Sequence, residues 1–361
     1  MTVNPYRNLE NRQYWRNFVS DSKESGVIIR ELWQPKFNIS KDDEIVTFGS
    51  CFAQHFSHAL KKANYTWLCT EDLPAGVSDE VATALDYRVF SCRTGNIYTT
   101  SILNQWVDWS LNKQVMPQEI WQYKKRYYDP MRPTIEKVGF ESLEECLAMR
   151  EQTRLCFTRC IEQAEVFVFT LGLTEAWYNP DMGYEYPVCP QALKIAPIEC
   201  RSQFVNHDYG SVKAYLLSAL EKIRQVNPTV KVLLTVSPVP LIATQLSDHV
   251  MVATTSAKSI LRAVCSSVAD TSKHIDYFPS YEIITNPFKS GNFFADDRRS
   301  VTSDGVNTVM QHFFGPFGTA VHAHSNDLTA NQPNRSKKDY DQTVCEEELL
   351  VAFANEQGKS T

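Results

Sequence analysis

The sequence predicts an α/β protein with a mostly parallel sheet between helical layers, a three-layer α/β/α arrangement. Three observations lead there. Short β-prone runs recur along the chain, at Glu44–Phe48, Val166–Leu171 and Lys231–Val236. Segments of helical spacing alternate with them, which points to strands covered on both faces. The runs end at or lead into Gly49, Gly172 and Ser237, and in such sheets the loops at the carboxyl ends of strands hold the site.

The elements follow in chain order. After Glu44–Phe48 and Gly49, apolar residues at Phe52, Phe56, Leu60 and Ala63 have helical spacing, so a helix is expected over Phe52–Ala63. Leu143–Gln163 reads as a helix leading into the strand Val166–Leu171. Tyr215–Gln225 reads as a helix leading through Asn227-Pro228 into Lys231–Val236. A helix over Val252–Val268, a short strand His274–Tyr277 and a helix over Thr302–Phe314 complete the pattern. Glu119–Ile135 is too irregular to assign. Residues 1–39 form an N-terminal extension expected to pack on a core domain of residues 40–320. Residues 321–361 read as a polar tail. The stretch from Ser325 to Thr343 is Asn/Lys/Asp-rich, and a short amphipathic helix is expected at Glu346–Ala354.

Composition bounds the function. The chain has 361 residues, 43% of them hydrophobic, enough for a large core. Net charge is −6 and basic residues come only in short groups such as Lys61-Lys62, so no nucleic-acid surface is expected. The longest apolar runs are too short for a membrane span, and the N-terminus lacks a signal core. The 10 cysteines show no C-x-x-C pair, so neither a zinc ribbon nor a redox dithiol is expected. A cytoplasmic location with free thiols follows as the expectation.

The candidate reactive centre is the turn Gly49-Ser50-Cys51. A nucleophile between a strand and a helix is presented at the sheet edge and faces the positive end of the helix. A helix start lowers a thiol pKa, which favours thiolate at Cys51. Ser50 is the alternative nucleophile or a hydrogen-bond donor. The plainer reading makes Cys51 a small buried residue and Ser50 a helix cap.

The run Phe48-Gly49-Ser50-Cys51-Phe52-Ala53-Gln54-His55 resembles the name motif of the GSCFA family. Further segments are similar to that family in the same order: Phe90–Thr99 (FSCRTGNIYT), Tyr128–Pro133 (YDPMRP) and Phe169–Trp177 (FTLGLTEAW). The resemblance spans roughly residues 40 to 315. It implies an SGNH-hydrolase-like, flavodoxin-like fold with helical insertions, and an acyl-group hydrolase or acyltransferase acting on an ester or thioester. Small-molecule or glycan acyl substrates are implied, with acyl-coenzyme A as a donor and neither cofactor nor metal. The resemblance does not indicate an oligomeric state.

By the same resemblance Cys51 falls at the usual serine position and is preferred over Ser50 as nucleophile. Acyl transfer needs oxyanion donors, each worth about 2.7–4 kcal/mol of barrier. The Cys51 N–H is one by position. Gly76 or Gly95 would supply a second-block glycine, with Gly76 preferred. Gly172 and Thr174 resemble the third block, and a threonine hydroxyl can donate as an asparagine would. Glu175 would orient a partner or substrate. Arg93, Asp129 and Arg132 are candidates for an anionic part of the substrate, or else a structural salt bridge.

The family pattern places Asp-x-x-His before the last helix. Here Asp297 fits the acid, but Ser300 stands at the histidine position, and serine is no base near neutral pH. His312 is roughly 15 Å along the helix from Thr302, too far to substitute. His55 is one turn into the first helix, and His322 and His324 read as surface residues. Two functions compete, an acyl-group enzyme with impaired hydrolysis and a catalytically degenerate binding protein. A phosphate enzyme ranks last, since no phosphate-loop glycine motif is present.

Overall fold

The structure, a computed structural model, describes residues 4–24, 28–73, 75–288 and 293–318. Four parallel strands form the central sheet: β1 (Ile45–Gly49), β4 (Val166–Leu171), β8 (Lys231–Val236) and β9 (Ile275–Phe278), in the spatial order β1-β4-β8-β9. Register is continuous, with Gly49 opposite Thr170, Leu171 opposite Val236 and Thr235 opposite Phe278. Ile45 also makes a parallel bridge to Trp67, which brings residues 66–68 to the outer edge of β1.

Alternation along these strands feeds two cores. Val46, Phe48, Phe167, Phe169, Leu171, Val232 and Leu234 point to one face, where α4 (Thr100–Ser110), α5 (Leu143–Gln163), α6 (Tyr209–Val226) and α7 (Val250–Ala269) supply Trp106, Phe157, Leu216 and Leu261. Ile45, Val166, Val168 and Leu233 point to the other face. There they meet Phe52, just ahead of α2 (Ala53–Lys62), and α2, α8 (Ser280–Ile284) and α9 (Ser303–Phe314) through Phe56, Ile283 and Phe313. Strands buried on both faces between helices are the three-layer α/β/α arrangement.

Local chemistry sets the helix boundaries. Ser142 caps α5 by accepting from the Glu145 N–H, and Thr302 caps α9 by accepting from the Gly305 N–H. Asp208 accepts from the Ser211 N–H, which starts α6 at Tyr209, six residues ahead of the pattern-based start at Tyr215. The unassigned stretch holds a hairpin, β2 (Trp121–Tyr123) and β3 (Arg126–Tyr128), whose connecting Lys124 and Lys125 both have positive φ. A small antiparallel sheet, β5 (Glu175–Asn179), β6 (Tyr184–Tyr186) and β7 (Gln203–Asn206), follows β4 directly in the order β6-β5-β7. The helices α1 (Trp15–Glu24) and α3 (Asp79–Ala84) complete the described elements named here.

The N-terminal segment lies along the β9 and α9 side. Trp33 packs against Phe278 and Phe313, and the Lys36 ammonium donates to the carbonyls of Ala269 and Ile275. His312 joins it to α9. Its Nε2 accepts from the Ile29 N–H at 2.9 Å while Nδ1 meets the Thr308 carbonyl at 2.8 Å. Burial pushes the His312 imidazole down from its ordinary pKa, so the neutral ring is the acceptor form. The C-terminal features expected at Ser325–Thr343 and Glu346–Ala354, and His322 and His324, lie outside the described residues.

Candidate active site at the first strand-helix turn

Two glycines bring the turns after β1 and β4 into contact. Gly49 has φ +133°, and a Cβ there would sit 2.3 Å from the Thr170 carbonyl oxygen, so only glycine fits. The Ser50 N–H then donates to that same carbonyl at 3.0 Å. At Gly172 a Cβ would lie 2.9 Å from the Ser50 Cβ. Ser50 is thereby wedged between the ends of β1 and β4, and its buried Oγ has no hydrogen-bond partner. Cys51 follows, buried and outside any disulfide, at the start of α2. The amides of Ala53, Gln54 and His55 donate to the carbonyls of Ser50, Cys51 and Phe52, closing a first turn. The Phe52 N–H has no backbone acceptor among the described residues.

The proposed oxyanion residues fall in different places. The Gly172 and Leu173 N–H groups both donate to the Tyr98 carbonyl at 3.0 Å, so Gly172 shapes the site through its missing side chain and not through its amide. Gly76 is exposed, and a Cβ there would meet nothing within 4 Å. Gly95 is the glycine beside the turn, lining a recess with Gln54 of α2, while the neighbouring Ile97 N–H donates to the Gly49 carbonyl at 2.8 Å. Of the two glycines, Gly95 is thus the one whose surroundings include α2. Thr174 is buried next to Gly172, and its carbonyl accepts from the His207 N–H. Glu175 accepts from Thr244 Oγ1 at 2.5 Å and from the Gln245 N–H at 3.2 Å, tying the end of β4 to the loop after β8.

Arg93, Asp129 and Arg132 form buried internal contacts. Asp129 pairs with Arg132 at 2.8 Å and with Arg150 at 2.7 Å, all three essentially inaccessible. Burial opposes ionisation of Asp129, but the two guanidinium groups outweigh it and hold its carboxyl below the ordinary range. Arg93 donates to Tyr87 Oη and to the carbonyls of Leu85 and Ile135. Asp129 and Arg132 are thus held in a buried salt bridge with Arg150, while the buried Arg93 side chain is hydrogen-bonded to Tyr87 and to loop carbonyls.

The Asp297 to Ser300 segment lies at the same edge of the sheet, since Arg299 Nε donates to the carbonyl of Pro240, just beyond β8. Ser300 Oγ donates to Asp297 Oδ2 at 2.5 Å, and the Arg299 and Ser300 N–H groups donate to Oδ1 at 2.9 Å. Partial burial pushes the Asp297 carboxyl up, yet these hydrogen bonds and the Arg299 charge outweigh it, leaving the pKa below the ordinary carboxylate value. The Asp297 carboxylate is thus occupied by groups of its own loop, Ser300 and Arg299.

Two buried groups at this edge were not singled out from the sequence. Lys258 of α7 is 1% exposed and its ammonium donates to the Gly172 carbonyl at 2.8 Å. It sits on the face of α7 that carries Ala257, Leu261 and Val264, and a lysine on an apolar face was the available signal. His207 Nε2 meets Glu185 Oε1 at 2.6 Å, and Thr99 Oγ1 donates to the other carboxylate oxygen at 3.2 Å. No local pattern announces that pair, because β6 and β7 bring it together across the small sheet. His55 is buried in edge contact with the Phe52 ring.

Among the described residues no group of three or more His, Cys, Asp or Glu is arranged to hold a metal, and no helix is long and apolar enough to cross a membrane. A protein-family model described as the GSCFA family matches residues 44–313. No curated protein and no solved structure matches the chain.

Proposed function

The chain belongs to the GSCFA family, and from that premise we propose that it is an acyl-group enzyme of SGNH-like type, with Cys51 as the acyl-accepting nucleophile. The observation that carries the reading is the contact between Gly172 and Ser50. It fixes the turns after β1 and β4 against each other and sets Cys51 at the start of α2. The Cys51 thiolate attacks the carbonyl carbon of an ester or thioester, a C–S bond forms, and the alcohol or thiol leaves as its C–O or C–S bond breaks, taking a proton from solvent. With the Ala53, Gln54 and His55 amides donating within the turn, the Phe52 N–H is the helix-start donor left to face the charge that develops on the carbonyl oxygen.

Deacylation by water is the slow half. Water must lose a proton as it attacks, and general-base assistance contributes about 10²–10⁴-fold. Asp297 holds a serine hydroxyl where a base would stand. The same hydrogen bond favours a second reading, a binding protein that retains the site without turnover.

Incubation with acetyl-coenzyme A and with an activated acetyl ester, followed by intact-mass measurement, separates the two. An acetyl adduct is expected on the native chain and on Ser50→Ala, and is lost in Cys51→Ala. No adduct on a folded native chain from either donor would leave the binding reading.

A further inference from the structure

Beside the reactive turn lies a recess whose volume is about 10 Å³, room for one hydroxyl or one water. Gln54, Asp86, Gly95, Asn96 and Thr134 supply its polar lining. It is built into the site at two points. The Gln54 N–H donates to the Cys51 carbonyl at 3.1 Å, and Ile97, next to Asn96, donates to the Gly49 carbonyl at 2.8 Å. Gln54 and Asn96 are 1% and 3% exposed and meet each other through their amides at 3.5 Å.

Asp86 is the group that points to a ligand. It is 8% exposed, and its Oδ1 is buried with no hydrogen-bond partner. A buried carboxylate oxygen left unpaired costs free energy, so a donor entering the recess has a ready acceptor. The charges around it argue about the donor. Arg93 and Lys137 already act on Asp86 from the positive side, with Glu136 opposing them. A cationic ligand would meet those two charges, and the recess is too small for a substituted ammonium. A neutral hydroxyl satisfies both constraints.

We propose that this recess is a subsite for a hydroxyl group of the acyl-accepting substrate, with Asp86 Oδ1 as the hydrogen-bond acceptor. The proposal rests on the acyl-enzyme reading for the word accepting, while the binding itself does not. The class of acceptor is then a neutral polyol. One hydroxyl anchors in the recess and another attacks the acyl group. That transfer breaks the thioester C–S bond, forms a C–O bond, and passes the hydroxyl proton to the departing Cys51 sulfur. Burial pushes the Asp86 carboxyl up to about 6, against the pull of Lys137 and Arg93. Binding through the carboxylate should therefore strengthen as pH rises through that value.

Glycerol serves as the probe in two independent measurements. In the first, the acetylated chain is mixed with glycerol and loss of the adduct is followed by mass. Saturable acceleration is expected, with the half-saturating concentration raised at least fivefold in Asp86→Asn and acetylation of Cys51 unchanged. An unchanged half-saturating concentration would overturn the proposal. In the second, the Asp86 carboxyl is titrated by carbon NMR in full-length protein, with and without glycerol. Glycerol is expected to lower its midpoint. A midpoint that does not move overturns the subsite and leaves a bound water as the occupant. Failure to form any adduct removes the acyl reading alone, and the second measurement still decides the recess.

Discussion

The two halves of the candidate site are built differently. On the nucleophile side, Gly49 is held against the Thr170 backbone at a positive φ that only glycine fits, and a Cβ at Gly172 would press within 2.9 Å of the Ser50 Cβ. Every described group there is buried against β4. On the base side, Asp297 is exposed on a loop and satisfied by its own neighbours, Arg299 and Ser300. Presenting a nucleophile needs a rigid turn, and the fold supplies it as part of the core. Supplying a base needs one side chain on a loop, and a single residue type decides it. The first half cannot be lost without losing the fold, whereas the second can change while the fold stays intact.

That contrast can be broken at its strong end first. Gly49→Ala puts a methyl group 2.3 Å from the Thr170 carbonyl at a positive φ. It is expected to cost about 3 kcal/mol or more, read as a large fall in Tm or failure to fold. A Gly49→Ala chain of native stability would show that the turn is not rigid.

A smaller effect comes from the helix behind the base loop. His312 has a folded pKa below its unfolded one, because burial disfavours the charged ring. Stability from this group is full above the unfolded value of about 6.5 and declines as pH falls below it, because the unfolded state binds the proton first. A decline in stability below pH 6.5 is expected in chemical denaturation, absent in His312→Leu. An identical pH profile for the two chains would exclude His312 as the clamp on Ile29.

The smallest effect lies on the base loop. Asp297 has a folded pKa below the ordinary value, so its contribution is present above the unfolded pKa and lost as pH falls through the folded one. The group is exposed, and after solvent screening Asp297→Ala should cost only about 0.5–1 kcal/mol near neutral pH. A loss as large as that of Gly49→Ala would erase the distinction between the two halves.

Much of this was legible in the residues. The strands Val166–Leu171 and Lys231–Val236 and the helix Leu143–Gln163 occupy the spans their patterns indicate. Their apolar periodicity is local, and local signals survive folding. The hairpin around Lys124-Lys125 was not legible, because its left-handed turn lacks the Asn or Gly that normally marks one. The small sheet was missed because β5 to β7 are short and their pairing is tertiary. Within the site, the turn could be read from Gly49-Ser50-Cys51. Asp86, Lys258 and the pair His207–Glu185 could not, because each matters only through what the fold brings beside it from distant parts of the chain. Gly76 and Gly95 are both glycines with positive φ, and only the contacts of Gly95 distinguish them.

On the proposed reading, the fold presents an acyl-accepting thiol and lacks only its base. Ester turnover by Ser300→His tests it most directly, measured across pH beside the native chain and the double variant Ser300→His, Cys51→Ala. Ser300→His is expected to raise turnover about 10²-fold or more, with a rate that climbs as the new imidazole loses its proton, and removing Cys51 is expected to abolish the gain. A folded Ser300→His chain that is acetylated yet no faster at any pH, or a gain that persists without Cys51, would contradict it.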